Sequence, residues 1–186
     1  LINYSLLQEK YFAGLEAAGD RSSASGVCCI LRRFIMDIIK TLAQELEIIK
    51  RAKNSINMRI GFLFEGEGEA LVEALKNRSD LRVNILASPI CYINYEEFDI
   101  INLFKKAEIP IQKADIPFVK LIISDSREMM HTYTKFSEDK RNVIPETAIG
   151  IWTQYEDIAK NYDERILNQL KKTKNKQKKK NAKIIQ

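Results

Sequence analysis

The chain has 186 residues, 45% of them apolar, with 30 Lys/Arg against 25 Asp/Glu and a formal net charge of +5. That length and apolar content exclude a wholly disordered chain and allow a core without disulfides. No run approaches the roughly 18 uncharged apolar residues of a membrane span, and Leu1-Ile2-Asn3-Tyr4 has no secretory n-region or h-region.

In chain order, residues 1–29 read as an N-terminal segment and linker. Tyr4, Leu7, Tyr11 and Leu15 mark a weak helical stripe, and Asp20-Arg21-Ser22-Ser23-Ala24-Ser25-Gly26 has linker composition. Residues 30–54 read as a long helix, with Leu31, Ile35, Ile38, Leu42, Leu46 and Ile49 spaced by three or four and Glu47–Arg51 as an i,i+4 pair. Its stripe fits packing on its own domain or a short dimer seam. Residues 55–170 alternate strand and helix patterns. Strands are expected at Ile56–Phe64, Leu81–Ala87, Ile109–Lys113, Phe118–Ser124, Glu128–Phe136 and Thr147–Trp152. Helices are expected at Gly66–Asn77, at Glu96–Ala107 with Phe98, Ile101 and Phe104 facing in, and from Gln154 to Leu170. Strand–helix–strand order implies parallel crossovers, and the later strands add hairpins. The expected fold class is therefore α/β, a mixed, largely parallel sheet flanked by helices and preceded by a long amphipathic helix. Residues 171–186 carry eight lysines and no acid, so residues 1–170 hold 22 basic against 25 acidic groups, net −3. The basicity belongs to this tail, which reads as disordered.

Little here supports familiar catalysis. Cys28 and Cys29 are adjacent and Cys91 stands alone; an odd count without C-x-x-C spacing fits a reducing cytoplasm and gives neither a disulfide framework nor a zinc site. The sole histidine, His131, has no partner nearby in sequence and receives no role. No cofactor or metal motif is present. Glu65-Gly66-Glu67-Gly68-Glu69 sits where a phosphate loop would, but its three carboxylates oppose phosphate and the Walker Lys-Ser/Thr pair is missing. These acids either complement a helix N-terminus or offer Glu65 or Glu67 to a polyol at the strand ends. The lysines Lys171, Lys172, Lys174, Lys176, Lys178, Lys179 and Lys180 are candidates for non-specific phosphate contact, without the aromatics of a single-strand platform.

The octet Phe118-Val119-Lys120-Leu121-Ile122-Ile123-Ser124-Asp125 resembles the HxKxxxxD signature of the phospholipase D superfamily, with Lys120 and Asp125 in register and Phe118 at the histidine position. The order of elements around it, with Leu81–Leu86 before a helix and a short strand, is similar as well. The resemblance implies a phospholipase D-like fold. Active members use that histidine as nucleophile towards phosphodiesters and pair two signature copies, whereas phenylalanine has no nucleophilic atom and this chain carries one copy. With the long helix in front, and Ala148-Ile149-Gly150-Ile151-Trp152-Thr153 leading into a final helix, the chain resembles the C-terminal effector domain of TrmB-type archaeal transcription regulators. That resemblance implies a non-catalytic, cytoplasmic sensor of a small, sugar-like molecule and a homodimer through residues 30–54. DNA would be bound by a winged helix for which residues 1–29 are too short, or weakly by the tail, and no membrane is involved. The strand-end ligand candidates are Glu65, Ser88, Tyr92, Lys120 and Trp152. Two alternatives stay open: an active phosphodiesterase or nuclease, and a protein-interaction domain without a small ligand. The chain begins without methionine and reads as part of a longer protein.

Overall fold

The structure, a computed structural model, describes residues 35–36, 38–116 and 118–184, which lie within the unit Phe34–Gln186. The expected N-terminal stripe, the linker, Cys28, Cys29 and Leu31 fall outside the described residues. The elements are β1 (Ile35–Met36), α1 (Ile38–Arg51), β2 (Ser55–Ile60), α2 (Glu67–Lys76), β3 (Arg82–Ala87), β4 (Ile90–Ile93) and β5 (Glu96–Asp99). They continue with α3 (Ile100–Lys106), β6 (Ile111–Lys113), β7 (Lys120–Ser124), β8 (Glu128–Phe136), β9 (Val143–Thr153) and α4 (Glu156–Ile184).

Seven strands form one sheet in the order β1-β9-β8-β7-β2-β3-β6, and β4 with β5 forms a separate hairpin. The α/β class and the mixed sheet match expectation. The balance of pairing does not: only β2–β3 and β3–β6 are parallel, and the other sheet pairs are antiparallel. The pairs β7–β8 and β8–β9 return by turns rather than through crossover helices, while β2–β7 and β1–β9 join segments far apart in the chain.

Alternate residues of the central strands feed two cores on opposite faces. Ile56, Met58, Ile85 and Ile122 meet Ile48, Leu71 and Phe104 from α1, α2 and α3. Leu86, Leu121, Ile123 and Met129 meet Ala159, Ile166 and Leu170 from α4. The helix α1 thus packs on its own sheet, with Thr41, Glu45, Ile48 and Ile49 buried. Its seat is close. A Cβ on Gly150 would lie 2.6 Å from Thr41 Oγ1, so glycine lets β9 approach the helix. The Glu47–Arg51 pair forms at 3.6 Å. Arg78 caps the far end, its Nη1 donating to the carbonyls of Ile49 (2.7 Å) and Lys50 (2.8 Å), which no turn of helix satisfies.

Several expected boundaries move. The long helix begins at Ile38 because Ile35 and Met36 instead pair with Ile151 and Gly150 at the sheet edge. The strand expected to reach Phe64 ends at Ile60, since Gly61 is pressed against the loop before β7; a Cβ there would sit 2.1 Å from the Ile116 carbonyl oxygen. Phe62, Leu63 and Phe64 stay buried without strand pairing. The helix expected from Glu96 is half hairpin: Asn94 (φ 50°) and Tyr95 (φ 66°) make a tight turn, and Asp99 then caps α3 by accepting from Asn102 N at 2.8 Å. Strand β9 starts at Val143, where hairpin pairing with Phe136 begins. Helix α4 runs on to Ile184, so the lysine segment continues the helix rather than leaving it at Leu170; lysine is a good helix former and no glycine or proline interrupts it.

Candidate functional site

The residues of the octet that resembles the signature, Phe118, Lys120 and Asp125, separate. Phe118 lies in a turn with φ 60° and is 41% exposed, its ring stacked edge-on against Phe136 at 4.5 Å. The strand begins two residues later, so the expected Phe118–Ser124 strand is shortened at its functional end. Asp125, at φ 52°, accepts from the backbone N–H groups of Lys53 (2.7 Å), Asn54 (2.8 Å) and Ser55 (2.8 Å). It fastens the α1–β2 turn to the end of β7. Burial pushes its carboxyl up, but those three donors outweigh that and hold it below the usual carboxylate range.

Lys120 is 2% exposed and points into the core between the sheet and the helices. Its ammonium pairs with Glu67 from the first turn of α2 and with Glu45 of α1 at 3.1 Å, each carboxylate almost fully buried. The Phe62 and Phe64 rings flank it at 5.7 and 4.8 Å. Glu67 Oε2 also accepts from Phe64 N (2.9 Å), and Thr132 Oγ1 donates to Glu45 Oε1 (3.0 Å). Two carboxylates against one ammonium leave an excess negative charge in the core. Burial pushes Glu45 up to about 8, with Lys120 opposing and Glu67 adding to the rise. Lys120 is pushed down by burial and more strongly up by Glu45 and Glu67, so it stays protonated. Protonation of Glu45 at neutral pH therefore brings the cluster towards neutrality.

The five strand-end candidates are not gathered into one site. Glu65 is exposed and accepts from Asn94 Nδ2 (3.0 Å), in the hairpin that carries Tyr92. The Tyr92 hydroxyl contacts Glu97 (3.3 Å), and the Arg141 guanidinium lies over its ring at 5.3 Å. Ser88 Oγ donates to the Ile116 carbonyl at 3.1 Å. Trp152 is on the rung of Met130 and Ile122, one step along the same face from the Lys120–Thr132–Gly150 rung. Its Nε1 donates to Glu128 (2.7 Å), which also holds Arg51 (2.6 Å). Surface depressions near Tyr155, Glu156 and Lys160, and near Leu75, Arg78 and Glu108, contain none of the five. Of the lysine candidates, Lys171 and Lys172 are exposed on α4; the side chains of Lys174, Lys176, Lys178, Lys179 and Lys180 fall outside the described ones. Cys91 is buried, and burial pushes its thiol up to about 11, which leaves it unreactive as a thiolate.

His131 sits on β8 next to Thr132, so strand alternation turns it to the α4 face, away from Lys120. The edge of the Tyr162 ring meets it at 5.9 Å, and Tyr133 Oη contacts Nδ1 at 2.8 Å. Burial, aided by the charge of Arg59, pushes its pKa down to about 4. A folded pKa below the unfolded 6.5 gives stability that is present above pH 6.5 and lost as pH falls towards 4. Urea unfolding from pH 6.5 to 4 should therefore show a His131-dependent loss of roughly 1–3 kcal/mol, set against the opposite trend from Glu45. His131→Gln should lack it. An equal acid slope in both proteins would place the titration elsewhere.

Sequence reasoning overlooked Glu45, Thr132 and Arg59. A signal existed for Glu45, because Thr41 and Glu45 interrupt the apolar helical spacing at positions that the sheet covers. Arg59 is the one charged residue within β2, whose neighbours are mostly buried.

No family model matches the chain, and no curated protein matches its sequence. Among solved structures, NucT from Helicobacter pylori superposes with a TM-score of 0.51 at 14% identity, covering 73% of this chain and 93% of that one. The fold is similar to that of NucT. Nuc from Salmonella typhimurium, a phospholipase D family member, gives a TM-score of 0.47 at 22% identity over 68% of this chain and 84% of that one. TrmBL2, an archaeal chromatin protein, gives 0.49 at 13% identity over 92% of this chain and 62% of that one.

Proposed function

We propose that this chain is a non-catalytic, small-molecule-sensing domain of a transcription regulator, built on a phospholipase D-like fold. The observation that carries the reading is the enclosure of Lys120 by Glu45 and Glu67. A lysine that binds phosphate must present its ammonium to solvent, whereas this one is buried and already paired with Glu67 and Glu45. The nucleophile position is Phe118, and the only histidine in the sequence lies on the other face of the sheet. No histidine thus stands beside Lys120 for the displacement that the signature would otherwise support.

The same ion cluster suits a regulatory domain. It joins α1 to β7, β8 and α2, so a ligand that binds one arrangement of helix and sheet more tightly transmits its preference through a rigid connection. A second reading, a protein-interaction domain without a small ligand, draws on Tyr133, Ile149 and Ile151, which lie exposed together on neighbouring strands of one sheet face.

Two measurements on the full chain decide. Incubation with bis(p-nitrophenyl) phosphate and with DNA is expected to give no turnover above that of His131→Gln. Turnover that this substitution abolishes would overturn the non-catalytic reading. Thermal-shift titration across metabolite classes is expected to raise the melting temperature with at least one class. Absence of any such rise would reject sensing in favour of the interaction domain.

A further inference from the structure

On the α4 side of the sheet, one rung runs Gln112–Leu86–Arg59–Leu121–His131 through β6, β3, β2, β7 and β8. Pairing across the rung keeps these side chains on one face. That face is fixed by Leu86 and Leu121, which pack under α4, and by Asn57, two residues from Arg59 on β2, which bonds to Asp163 of α4. Three buried polar atoms on this rung have no hydrogen-bond partner: Arg59 Nε, His131 Nε2 and Gln112 Oε1. Arg59 also has no carboxylate within ion-pair distance among the described residues. The nearby acid Asp163 is already engaged by Asn57 and by Ser126.

Arg59 Nε is a buried donor without an acceptor, which costs stability unless a ligand supplies one. The imidazole adds a second donor. In the tautomer in which the Tyr133 hydroxyl donates to Nδ1, the neutral ring carries its proton on Nε2, the atom left without a partner. Arg59 and His131 are separated on the rung only by Leu121, and the charge of Arg59 acts on the imidazole. A cation and a neutral N–H without partners on one partly apolar face are the recognition elements for a small anion.

We propose that Arg59 and His131 form a binding site for the carboxylate or phosphoryl group of a small effector, on the face of the sheet opposite Lys120. This rests on the sensing function above and names its ligand chemistry. The ligand's charge would satisfy both donors, and Tyr162 on α4, whose ring edge meets His131, would couple occupancy to that helix.

Because the chain has one histidine, its ring nitrogens give a single-site spectroscopic signature. The test is titration of the full chain, labelled with nitrogen-15 histidine, with inorganic phosphate and separately with succinate at constant ionic strength. We expect saturable movement of the His131 Nε2 signal in the millimolar range with at least one of them. The affinity should fall at least about tenfold in Arg59→Gln and be largely restored in Arg59→Lys. Saturation by phosphate alone assigns a phosphoryl group, and saturation by succinate alone assigns a carboxylate. No saturable movement with either anion, or equal movement in Arg59→Gln, would overturn the site. If metabolites still raised the melting temperature in that event, the sensing function would stand without it. Conversely, phosphodiester turnover would remove the sensing function, while the His131 titration would still decide the anion site.

Discussion

Lys120→Met lowers the free energy of unfolding by about 3–5 kcal/mol, the largest loss expected of any substitution discussed for this chain. Methionine nearly fills the lysine's volume, so the loss is electrostatic: Glu45 and Glu67 remain buried with no cation between them. The effect has a defined pH dependence. The folded-state pKa of Glu45 is raised from 4.5 to about 8, so its contribution is fully present below 4.5 and is lost as pH rises to 8. Lys120→Met removes the charge that opposes this rise, and its deficit should therefore widen with pH. Glu45→Gln should do the reverse, flattening the slope between pH 4.5 and 8 at little cost near the upper end, since glutamine keeps the shape without the excess charge. Urea unfolding of the three proteins across that window measures both effects. Midpoints for Lys120→Met equal to those of the unaltered protein at all pH values would show that water, rather than the carboxylates, solvates the lysine.

Asp125→Ala lowers stability by about 2–3 kcal/mol, because one carboxylate serves three backbone donors at the α1–β2 turn. Asp125→Asn retains an acceptor oxygen and should lose about half as much. The Asp125 pKa lies below its ordinary 3.8, so its contribution is present above that value and disappears as pH falls through the folded pKa. Hydrogen exchange at Lys53, Asn54 and Ser55 locates the effect: protection should drop there first in the alanine variant. Unchanged protection at those amides would mean that the turn is held by something other than Asp125.

These two residues show how a sequence motif can be read correctly in spacing and differently in use. Lys120 and Asp125 stand in signature register, yet one neutralises buried acids and the other ties a turn. Spacing along a strand fixes the face and level of a side chain. It does not fix what comes to meet that side chain from helices 53 and 75 residues away in the chain. The acid loop was similarly half legible. Its position before a helix indicated carboxylates at an N-terminus, and Glu67 is there; that Glu67 turns inward to Lys120 while Glu65 stays outside follows from the left-handed turn at Gly66 (φ 73°). The β4–β5 hairpin was missed because Phe98, Ile101 and Phe104 keep helical spacing across a strand end and a helix start. Asn94-Tyr95 was the available turn signal.

By itself the sequence determined the α/β class, the helix over Gly66–Asn77 to within its caps, the strand Glu128–Phe136 to the residue, the absence of a nucleophilic atom at Phe118 and the confinement of the net positive charge to the tail. Each follows from local period, residue chemistry or counting. Only the tertiary structure decided that antiparallel pairs prevail, that α1 lies on its own sheet, that Lys120 is enclosed and that Arg59 and His131 share a rung. These depend on which distant segments become neighbours, and burial energies and charge pairing act between neighbours in space, whatever their separation along the chain.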